Sequence, residues 1–186
     1  MSDKEAERIL DAAGRRFEAA EVYEEARETV SVRFEDSRLK EIRTEQRRGL
    51  GLRVIDDGRI GFASTTDLRD PERLVEMAGA SAAFGDEAEF EMPGQPAEVA
   101  DVATCDDAMT DVSAQDMVEM GRQGLAMSRE ANEDYLYACH LTRAAHRQRL
   151  LNTAGLDFAY DSSRMSASVE IEEVRDDGLL QVYQYI

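Results

Sequence analysis

The residues best suited to metal or nucleophilic chemistry are two cysteines and two histidines, and their spacing does not assemble a site. Cys139 and His140 are adjacent in a segment predicted as a strand, so their side chains point to opposite faces and do not readily share one metal ion. His146 lies further along, and Cys105 is isolated. The sequence contains no His-Glu-x-x-His or similar ligand pair and no Cys-x-x-Cys pair. It therefore predicts no catalytic, cofactor-binding or metal-ligating residue in this chain.

Carboxylate and glycine pairs are better interpreted as turn residues than as catalytic groups. Asp56-Asp57, Asp106-Asp107 and Asp176-Asp177 stand in predicted turns or loops, which disfavours a glycosidase acid/base pair. Gly49-Leu-Gly51 resembles the start of a dinucleotide-binding loop, but a strand hairpin follows it where that loop requires a helix. No Gly-x-Ser-x-Gly motif supports a nucleophilic hydrolase. Turns, bulges or close backbone approach remain the predicted roles of Gly49, Gly51, Gly58 and Gly61.

The chain is strongly acidic, with 40 acidic residues against 22 basic ones and a formal charge of -18. Such a chain repels phosphate backbones, so direct binding to nucleic acid is disfavoured. The apolar residues fall in periodic runs, which predicts a folded core. Because the sequence has neither a membrane-spanning stretch nor the features of a signal peptide, we expect a soluble protein that acts in the cytoplasm, without contact with a membrane.

The basic residues carry a second asymmetry, since all of them except Lys4 and Lys40 are arginines. Lysine depletion together with excess carboxylate is typical of adaptation to high salt; the alternative is an acidic cytosolic protein from a genome that favours arginine. If the protein is halophilic, the midpoint of thermal unfolding should rise from low to molar KCl, because counterions screen carboxylate repulsion. Calorimetry over a salt series measures this, and a flat or falling midpoint would contradict it.

The first part of the chain predicts a helix followed by two hairpins. Apolar residues at three- and four-residue spacings predict an amphipathic helix from Asp3 to Ala20. Alternating apolar residues then predict a strand over 30–35, a turn at Asp36-Ser37 and a second strand from Leu39 to Arg47. Asp57-Gly58 lies between alternating apolar residues, which predicts a hairpin closed by a type I′ turn.

A covering helix and a long connection are predicted next. The helix has Pro71 in its first turn and continues to about Gly85, and its apolar face is predicted to comprise Leu74, Val75, Met77, Ala78 and Ala82. The segment 86–110 is acidic and irregular, and it contains Pro93 and Pro96. Ser113 is the predicted N-cap of another helix, with Asp116 at its third position.

The last part of the chain predicts antiparallel strands. Residues 135–142 and 148–152 are predicted to pair as a hairpin, Thr153-Ala154-Gly155 forms a turn, and 156–160 forms a further strand. Alternation then continues toward a hairpin at Asp176-Asp177-Gly178. We expect the chain to be a piece of a longer protein, because its last residues read as the middle of a strand.

These elements predict an α+β fold, with amphipathic helices packed on a mostly antiparallel or mixed β-sheet and two helix-plus-strands units. The predicted organisation is a first unit over 1–90 with a helix, hairpins and covering helix, and a linker over 91–112. A second helix-plus-antiparallel-strands unit follows over 113–186, truncated before a β-rich C-terminal domain.

The segment from Gly51 to Thr65 resembles the TldD/PmbA family, the modulator of DNA gyrase group of metallopeptidase-related proteins. The family pattern there is a glycine, an apolar residue, an arginine, a short strand, a one-glycine turn and then Gly-Phe/Ser-Ala. Leu151-Asn152-Thr153-Ala154-Gly155 resembles the family's Asn-Ser-x-Gly turn, and Ser163 to Val174 resembles the alternating strand that follows it. The resemblance makes six residues motif positions, with structural roles expected: Arg53, Gly58, Gly61, Phe62, Asn152 and Gly155.

The resemblance implies the N-terminal region of a larger protein involved in the proteolysis or processing of unfolded peptides. TldD-type members of the family bind catalytic zinc through a His-Glu-x-x-x-His helix and a distal cysteine. PmbA-type (TldE) members, which the stretch 152–185 resembles more closely, lack that motif and pair with a TldD-type subunit. This chain has no His-Glu-x-x-x-His, so it is predicted to be non-catalytic by itself and to hold no cofactor. Zinc is expected only in a TldD-type partner or in a missing C-terminal part.

Two functions from different classes follow from the sequence. In the first, the chain contributes dimerisation, as a homodimer or with a paralogous TldD-type subunit, and walls the chamber in which an unfolded peptide is cleaved; pairing along a sheet edge would hold the peptide. In the second, it is a stand-alone acidic interaction protein without a proteolytic role. A β-rich continuation of the gene beyond Ile186 would favour the first, and a stop codon there would favour the second.

Overall fold

A computed structural model describes residues 4–96, 98–100, 102–132, 135–175 and 178–185 of the chain. It has four helices and six strands within those ranges, which confirms the α+β fold class. The helices are α1 (Lys4–Gly14), α2 (Pro71–Ala82), α3 (Asp107–Thr110) and α4 (Ala114–Ala131). The strands are β1 (Ala19–Glu35), β2 (Arg38–Asp56), β3 (Arg59–Thr65), β4 (Leu136–Asn152), β5 (Asp157–Arg175) and β6 (Gly178–Tyr185).

The six strands form one sheet in the order β3-β2-β1-β4-β5-β6. Strand β2 is antiparallel to β3, and β5 is antiparallel to β6. Strand β4 joins the sheet beside β1 after the segment that carries the last three helices, so the sheet grows outward on both sides of β1. No helix in the described part of the chain has the length and apolar character needed to cross a membrane.

The chain forms two compact units that interleave along the sequence. The first unit comprises Met1–Ala26, Arg47–Ala103 and His146–Asp161, and the second comprises Arg27–Gln46, Thr104–Ala145 and Ser162–Ile186. In the first unit, α1 and α2 pack on one face of β1, β2 and β3 around buried residues such as Ile9, Val22, Leu52, Val54 and Leu74. In the second, α4 packs on a core that includes Val32, Phe34, Met117, Tyr137 and Leu141.

The first helix is shorter than predicted, since it ends at Gly14 instead of continuing to Ala20. Backbone N–H groups of Arg16 and Phe17 both donate to the carbonyl oxygen of Ala13, which turns the chain out of the helix. Phe17 remains buried in the core, as its helical spacing suggested, but it reaches the core from the turn. The predicted start at Asp3 lies outside the described residues.

Both predicted hairpins of the first part are present. Asp36 and Ser37 link β1 to β2 with positive φ values of 48° and 58°. Asp57 and Gly58 link β2 to β3 with positive φ values of 49° and 68°, as a type I′ turn requires. The two strands predicted on either side of Gly49 are instead one strand, β2, because glycine tolerates extended backbone as readily as a turn.

The predicted hairpin between 135–142 and 148–152 is wrong, since both segments belong to the continuous strand β4. Of the strand predicted over 156–160, residues 157–160 likewise belong to β5, which continues to Arg175. The intervening residues lack glycine, proline or another turn signal, and pairing with β1 and β5 keeps them extended. Register pairs Arg175 with Gly178 as predicted, whereas the turn residues Asp176 and Asp177 lie outside the described residues.

The outer edge of β3 is closed by α2 and by the segment after it. The hydroxyl of Ser81 accepts from the N–H of Phe62 (2.6 Å) and lies 2.9 Å from the carbonyl oxygen of Phe62, to which it donates. Two residues earlier on β3, the N–H of Ile60 donates to the carbonyl oxygen of Asp86. An open strand edge invites pairing with other chains, and these contacts remove that opportunity along most of β3.

Replacing Ser81 by alanine should open this edge locally. The Phe62 amide would lose its acceptor, so we expect its hydrogen exchange to accelerate and the free energy of unfolding to fall by about 1 kcal/mol. Exchange measured residue by residue by NMR tests this, with the Gly61 and Ala63 amides, which face β2, as internal controls. Unchanged protection at Phe62 would show that Ser81 does not close the edge.

The helix of the second unit starts where the sequence indicates. Ser113 accepts from the N–H of Asp116 (3.1 Å), and the Asp116 carboxylate accepts from the N–H of Ser113 (2.9 Å), which completes a capping box. Hydrogen bonds from Ser113 hold the pKa of Asp116 below its usual range. Met117 on this helix is buried, whereas Met120 is 45% exposed.

Candidate functional site

Four of the six motif residues lie on the β2–β3 hairpin of the first unit. Register places Arg53 directly across from Phe62, so both side chains project from the face of the sheet that α1 and α2 leave uncovered. Arg53 donates to the carboxylate of Glu21, which is almost fully buried, at 2.5 Å, and its guanidinium lies 5.0 Å from the ring centroid of Phe90. Phe62 is 59% exposed.

The two glycines of this hairpin meet different needs. Gly58 takes the positive φ of the turn and has open space around it. Gly61 lies directly beneath α2: a Cβ there would overlap the carbonyl oxygen of Ala78 and would lie 2.9 Å from both Ala82 Cβ and Val54 Cγ2. The absence of a side chain at Gly61 therefore sets how closely α2 approaches the sheet.

The remaining two motif residues form the turn between β4 and β5. Asn152 is buried, and its Oδ1 accepts from the N–H groups of Ala154 (3.0 Å) and Leu156 (3.1 Å). Its Nδ2 donates to the carbonyl oxygen of Pro93 at 2.8 Å. Gly155 has a φ of 93°, which explains why a glycine stands there. One amide side chain thus links the turn to the segment after α2.

A groove lies over the uncovered face of β1, β2 and β3 within the first unit. Its volume is about 640 Å³, and its lining includes Tyr23, Gly49, Gly51, Phe62 and Ser64. Volumes of this size are usual for ligand sites. Because two glycines stand at alternate positions of β2, the floor between Tyr23 and Phe62 is bare backbone.

The Tyr23 wall of this groove is held by a polar cluster. Gln148 donates to the Tyr23 hydroxyl at 2.7 Å, and that hydroxyl lies 3.3 Å from the Glu25 carboxylate. The Nε2 atom of His146 lies 3.0 Å from the other oxygen of Glu25. Burial first, and then the Glu25 charge, raise the pKa of Tyr23 above the usual range of a phenol. The wall is therefore an uncharged aromatic ring at neutral pH.

The charged residues that line the groove are Glu25, Arg47 and Arg48, and each has a partner inside the chain. Glu25 accepts a hydrogen bond from the Tyr23 hydroxyl and lies 3.0 Å from His146, as described above. Arg48 contacts Glu24 at 2.6 Å and Glu5 at 2.9 Å, and the hydrogen bond that it donates to Glu24 is the main reason why the Arg48 pKa is raised. Arg47 is likewise engaged. The groove therefore offers a ligand little net charge.

The cysteines and histidines do not assemble a metal centre in the part of the chain that the structure describes. Cys139 is buried in the core of the second unit, where burial raises the pKa of its thiol, while His140 is exposed on the opposite face of β4. Cys105 is exposed. Within the described ranges, no three His, Cys, Asp or Glu side chains converge closely enough to hold a metal ion.

Comparison with known families bears on the segment that builds the groove. Residues 20–82 match PmbA/TldA metallopeptidase domain 1. The matched segment runs from the first strand to the end of α2, so it contains Tyr23, Gly49, Gly51 and Phe62 and the glycine under α2. No protein with a curated description matches the chain.

Solved structures with the same fold extend the likeness to nearly the whole chain. TldE from Thermococcus kodakarensis superposes with a TM-score of 0.84 at 16% identity over 97% of this chain. Two candidate modulators of DNA gyrase superpose with TM-scores of 0.83 (Thermotoga maritima, 17% identity, 98% of this chain) and 0.87 (Bacteroides thetaiotaomicron, 20% identity, 99%). The chain spans only 42%, 42% and 45% of those three proteins, in that order.

The groove was not anticipated from the sequence, although its signal was present. Gly49 and Gly51 are separated by one residue in a strand, so they must share a face. The roles predicted for them were turns, bulges or close backbone approach, and none of these indicated a groove. On β3, Gly61 and Ala63 take the core face, so Phe62 between them points away from the core.

Proposed function

We propose that this chain is the N-terminal region of a TldD/PmbA-like, metallopeptidase-related protein that takes part in the proteolysis or processing of unfolded peptides in the cytoplasm. Its role is to associate with another subunit and to form part of the wall against which the peptide lies, while a metal site elsewhere cleaves. The observation that carries this proposal is the match of residues 20–82 to PmbA/TldA metallopeptidase domain 1.

The likeness of nearly the whole chain to TldE and to the gyrase modulators supports the same proposal. The PmbA-type (TldE) assignment is part of it, and it predicts pairing with a TldD-type subunit, with a second copy as the alternative partner. Zinc would be held by the His-Glu-x-x-x-His helix of the TldD-type partner or of a further part of the protein. The described residues of this chain do not fit that ion, because no set of three suitable ligands converges.

The structure bears on how a peptide would be held. Pairing along the edge of β3 is disfavoured, since Ser81 and Asp86 already bind the outward backbone groups of Phe62 and Ile60. The groove on the uncovered face of the sheet provides a surface with aromatic walls and little net charge. Within the first unit, a role in lining a peptide chamber therefore rests on that face.

The test is reconstitution with a TldD-type subunit that carries His-Glu-x-x-x-His. We expect fluorescently labelled casein, an unfolded substrate, to be cleaved by the mixture, and we expect cleavage to stop with 1,10-phenanthroline and to resume on adding zinc. The chain alone should cleave nothing. Size-exclusion chromatography of the mixture should show the two proteins eluting together.

Two controls make the outcome decisive. A TldD-type subunit whose motif glutamate is replaced by glutamine should still co-elute with the chain but should not cleave. Cleavage by the chain alone, or failure of the chain both to co-elute and to change the rate of cleavage, would contradict the proposal. Binding without any metal-dependent cleavage would favour the acidic interaction protein instead.

A further inference from the structure

Four glycines of the first unit fall into two groups when each is tested with an added Cβ. At Gly61 and Gly79 the new atom would lie 2.9 Å or closer to neighbouring atoms, so the packing of this chain itself demands glycine. At Gly51 the nearest atoms are ring carbons of Phe62 at 3.5 Å, and at Gly49 the nearest is the carbonyl oxygen of Thr65 at 3.4 Å. These are ordinary van der Waals contact distances, so a Cβ would fit at both positions.

Glycine inside a strand is unfavourable, because it loses more conformational freedom on folding than other residues and packs no side chain. Neither Gly49 nor Gly51 has a positive φ that would require glycine. Two such residues at alternate positions of β2 make a strip of exposed backbone on one face of the sheet. A strand glycine that the fold does not need often marks close approach by a ligand or another chain.

The surroundings of the strip define what fits there. Tyr23 and Phe62 stand on either side of Gly51 as aromatic walls, and Tyr23 is fixed by its hydrogen bond from Gln148. Along the outer edge of β3, the backbone of Phe62 is bound by Ser81 and that of Ile60 by Asp86. The next outward-pointing backbone groups belong to Ser64, which neither of them contacts. An extended peptide can therefore pair with Ser64 alone while one of its side chains lies over the strip.

The charged residues that line the groove indicate which kind of group binds over the strip. The chain as a whole carries -18, yet Glu25, Arg47 and Arg48 on the groove lining are all engaged within the chain. Burying a further charge beside aromatic rings would cost its hydration without a free partner to compensate it. A neutral, apolar group is therefore favoured, and a second copy of this acidic chain is not.

We propose that the strip over Gly49 and Gly51, between Tyr23 and Phe62, is a subsite that binds an apolar side chain of an extended peptide. This inference rests on the proposed role in handling peptides and adds the selectivity of one position: large apolar side chains, aromatic ones above all, are preferred over acidic ones. The occupied groove buries that side chain between the two rings, against bare backbone.

The test is direct peptide binding to the ¹⁵N-labelled 186-residue chain, followed by NMR. The probes are two blocked pentapeptides, acetyl-Ala-Ala-Phe-Ala-Ala-amide and the same peptide with Asp in place of Phe. We expect the Phe peptide to shift the amide resonances of Gly49, Gly51, Phe62 and Ser64 and to bind at least about tenfold more tightly than the Asp peptide.

Variants that fill the strip provide the second measurement. Gly51→Ala and Gly51→Val should keep the fold and weaken binding of the Phe peptide progressively, about tenfold for valine. Phe62→Ala, which removes one wall without adding volume to the strip, should weaken it as well. Gly124→Ala is the matched control, because a Cβ there meets nothing within 4 Å and lies in the other unit; binding should be unchanged.

The inference is overturned if Gly51→Val binds the Phe peptide as tightly as the unaltered chain, if the Asp peptide binds equally well, or if the shifted resonances lie away from the groove. Self-association of the chain through this face, seen as concentration-dependent shifts without peptide, also overturns it. Binding is measured on this chain alone, so these results would contradict the subsite without contradicting the proposed function. Conversely, absence of cleavage in the reconstituted mixture, together with the expected peptide selectivity, would contradict only the proposed function.

Discussion

Gly61→Ala is expected to be the most destabilising single substitution on the β2–β3 hairpin. The added Cβ would overlap the backbone carbonyl of Ala78 and crowd Ala82 and Val54, and neither a strand nor a helix backbone can move aside as a flexible side chain can. We expect a loss of about 3 kcal/mol in the free energy of unfolding, at the upper end for overpacking, and a thermal midpoint lower by roughly 6–12 °C. Urea and thermal unfolding followed by circular dichroism measure both.

Gly51→Ala is the matched control, since it makes the same chemical change on the neighbouring strand. Its Cβ meets the Phe62 ring at 3.5 Å and faces the groove, so we expect stability to be unchanged or raised by about 0.5–1 kcal/mol. Equal effects of the two substitutions would show that α2 does not sit against Gly61 as described.

Asn152→Ala is expected to be the most costly change at the β4–β5 turn. The substitution leaves the N–H groups of Ala154 and Leu156 and the carbonyl of Pro93 without their partner, in a place where Asn152 itself is only 3% exposed. Buried polar groups without partners are destabilising, so we expect a loss of about 2–4 kcal/mol. Urea unfolding gives the value, and hydrogen exchange at Leu156 should accelerate.

Gln95→Ala provides the comparison, because Gln95 accepts one exposed hydrogen bond from Asp157 at the same turn, and about 0.5 kcal/mol is expected. Asn152→Asp separates the two halves of the amide: it keeps the acceptor but turns a carboxylate oxygen toward the carbonyl of Pro93. This raises the pKa of the new carboxyl in the folded state, so the deficit relative to the unaltered chain should shrink as pH falls through that pKa. A deficit independent of pH would contradict the assigned contact.

Local sequence signals predicted most of the elements. The type I′ hairpin at Asp57-Gly58, the Pro71 helix and the Ser113 capping box all depend on residues within a few positions of each other, so one segment contains the necessary information. The boundaries of long strands do not. Strand β4 was divided into two because nothing local distinguishes a weakly apolar stretch such as 143–147 from a loop; its pairing partners keep it extended.

The candidate groove could not be predicted from the sequence, for a related reason. The sequence shows by alternation that Gly49 and Gly51 lie on one face of the strand. Whether other parts of the chain occupy the space beside a glycine depends on residues that are distant in sequence. At Gly61 the backbone of α2 occupies the space that a Cβ would need, whereas at Gly51 a Cβ would fit. The sequence itself does not distinguish the two glycines. Of the motif positions recognised by resemblance, only Phe62 lines the groove.

The interleaving of the two units along the chain dictates when each can form during synthesis. The first unit needs His146–Asp161 to complete the sheet beside β1, so the ribosome must release residues far beyond α2 before this core closes. Until then α1 and α2 cover one face of β1 and β2, but the edge of β1 that later pairs with β4 has no partner strand. Sequence-distant pairing of this kind slows folding and prolongs exposure of strand edges. The net charge of -18 opposes aggregation of the nascent chain during that interval, because like charges repel.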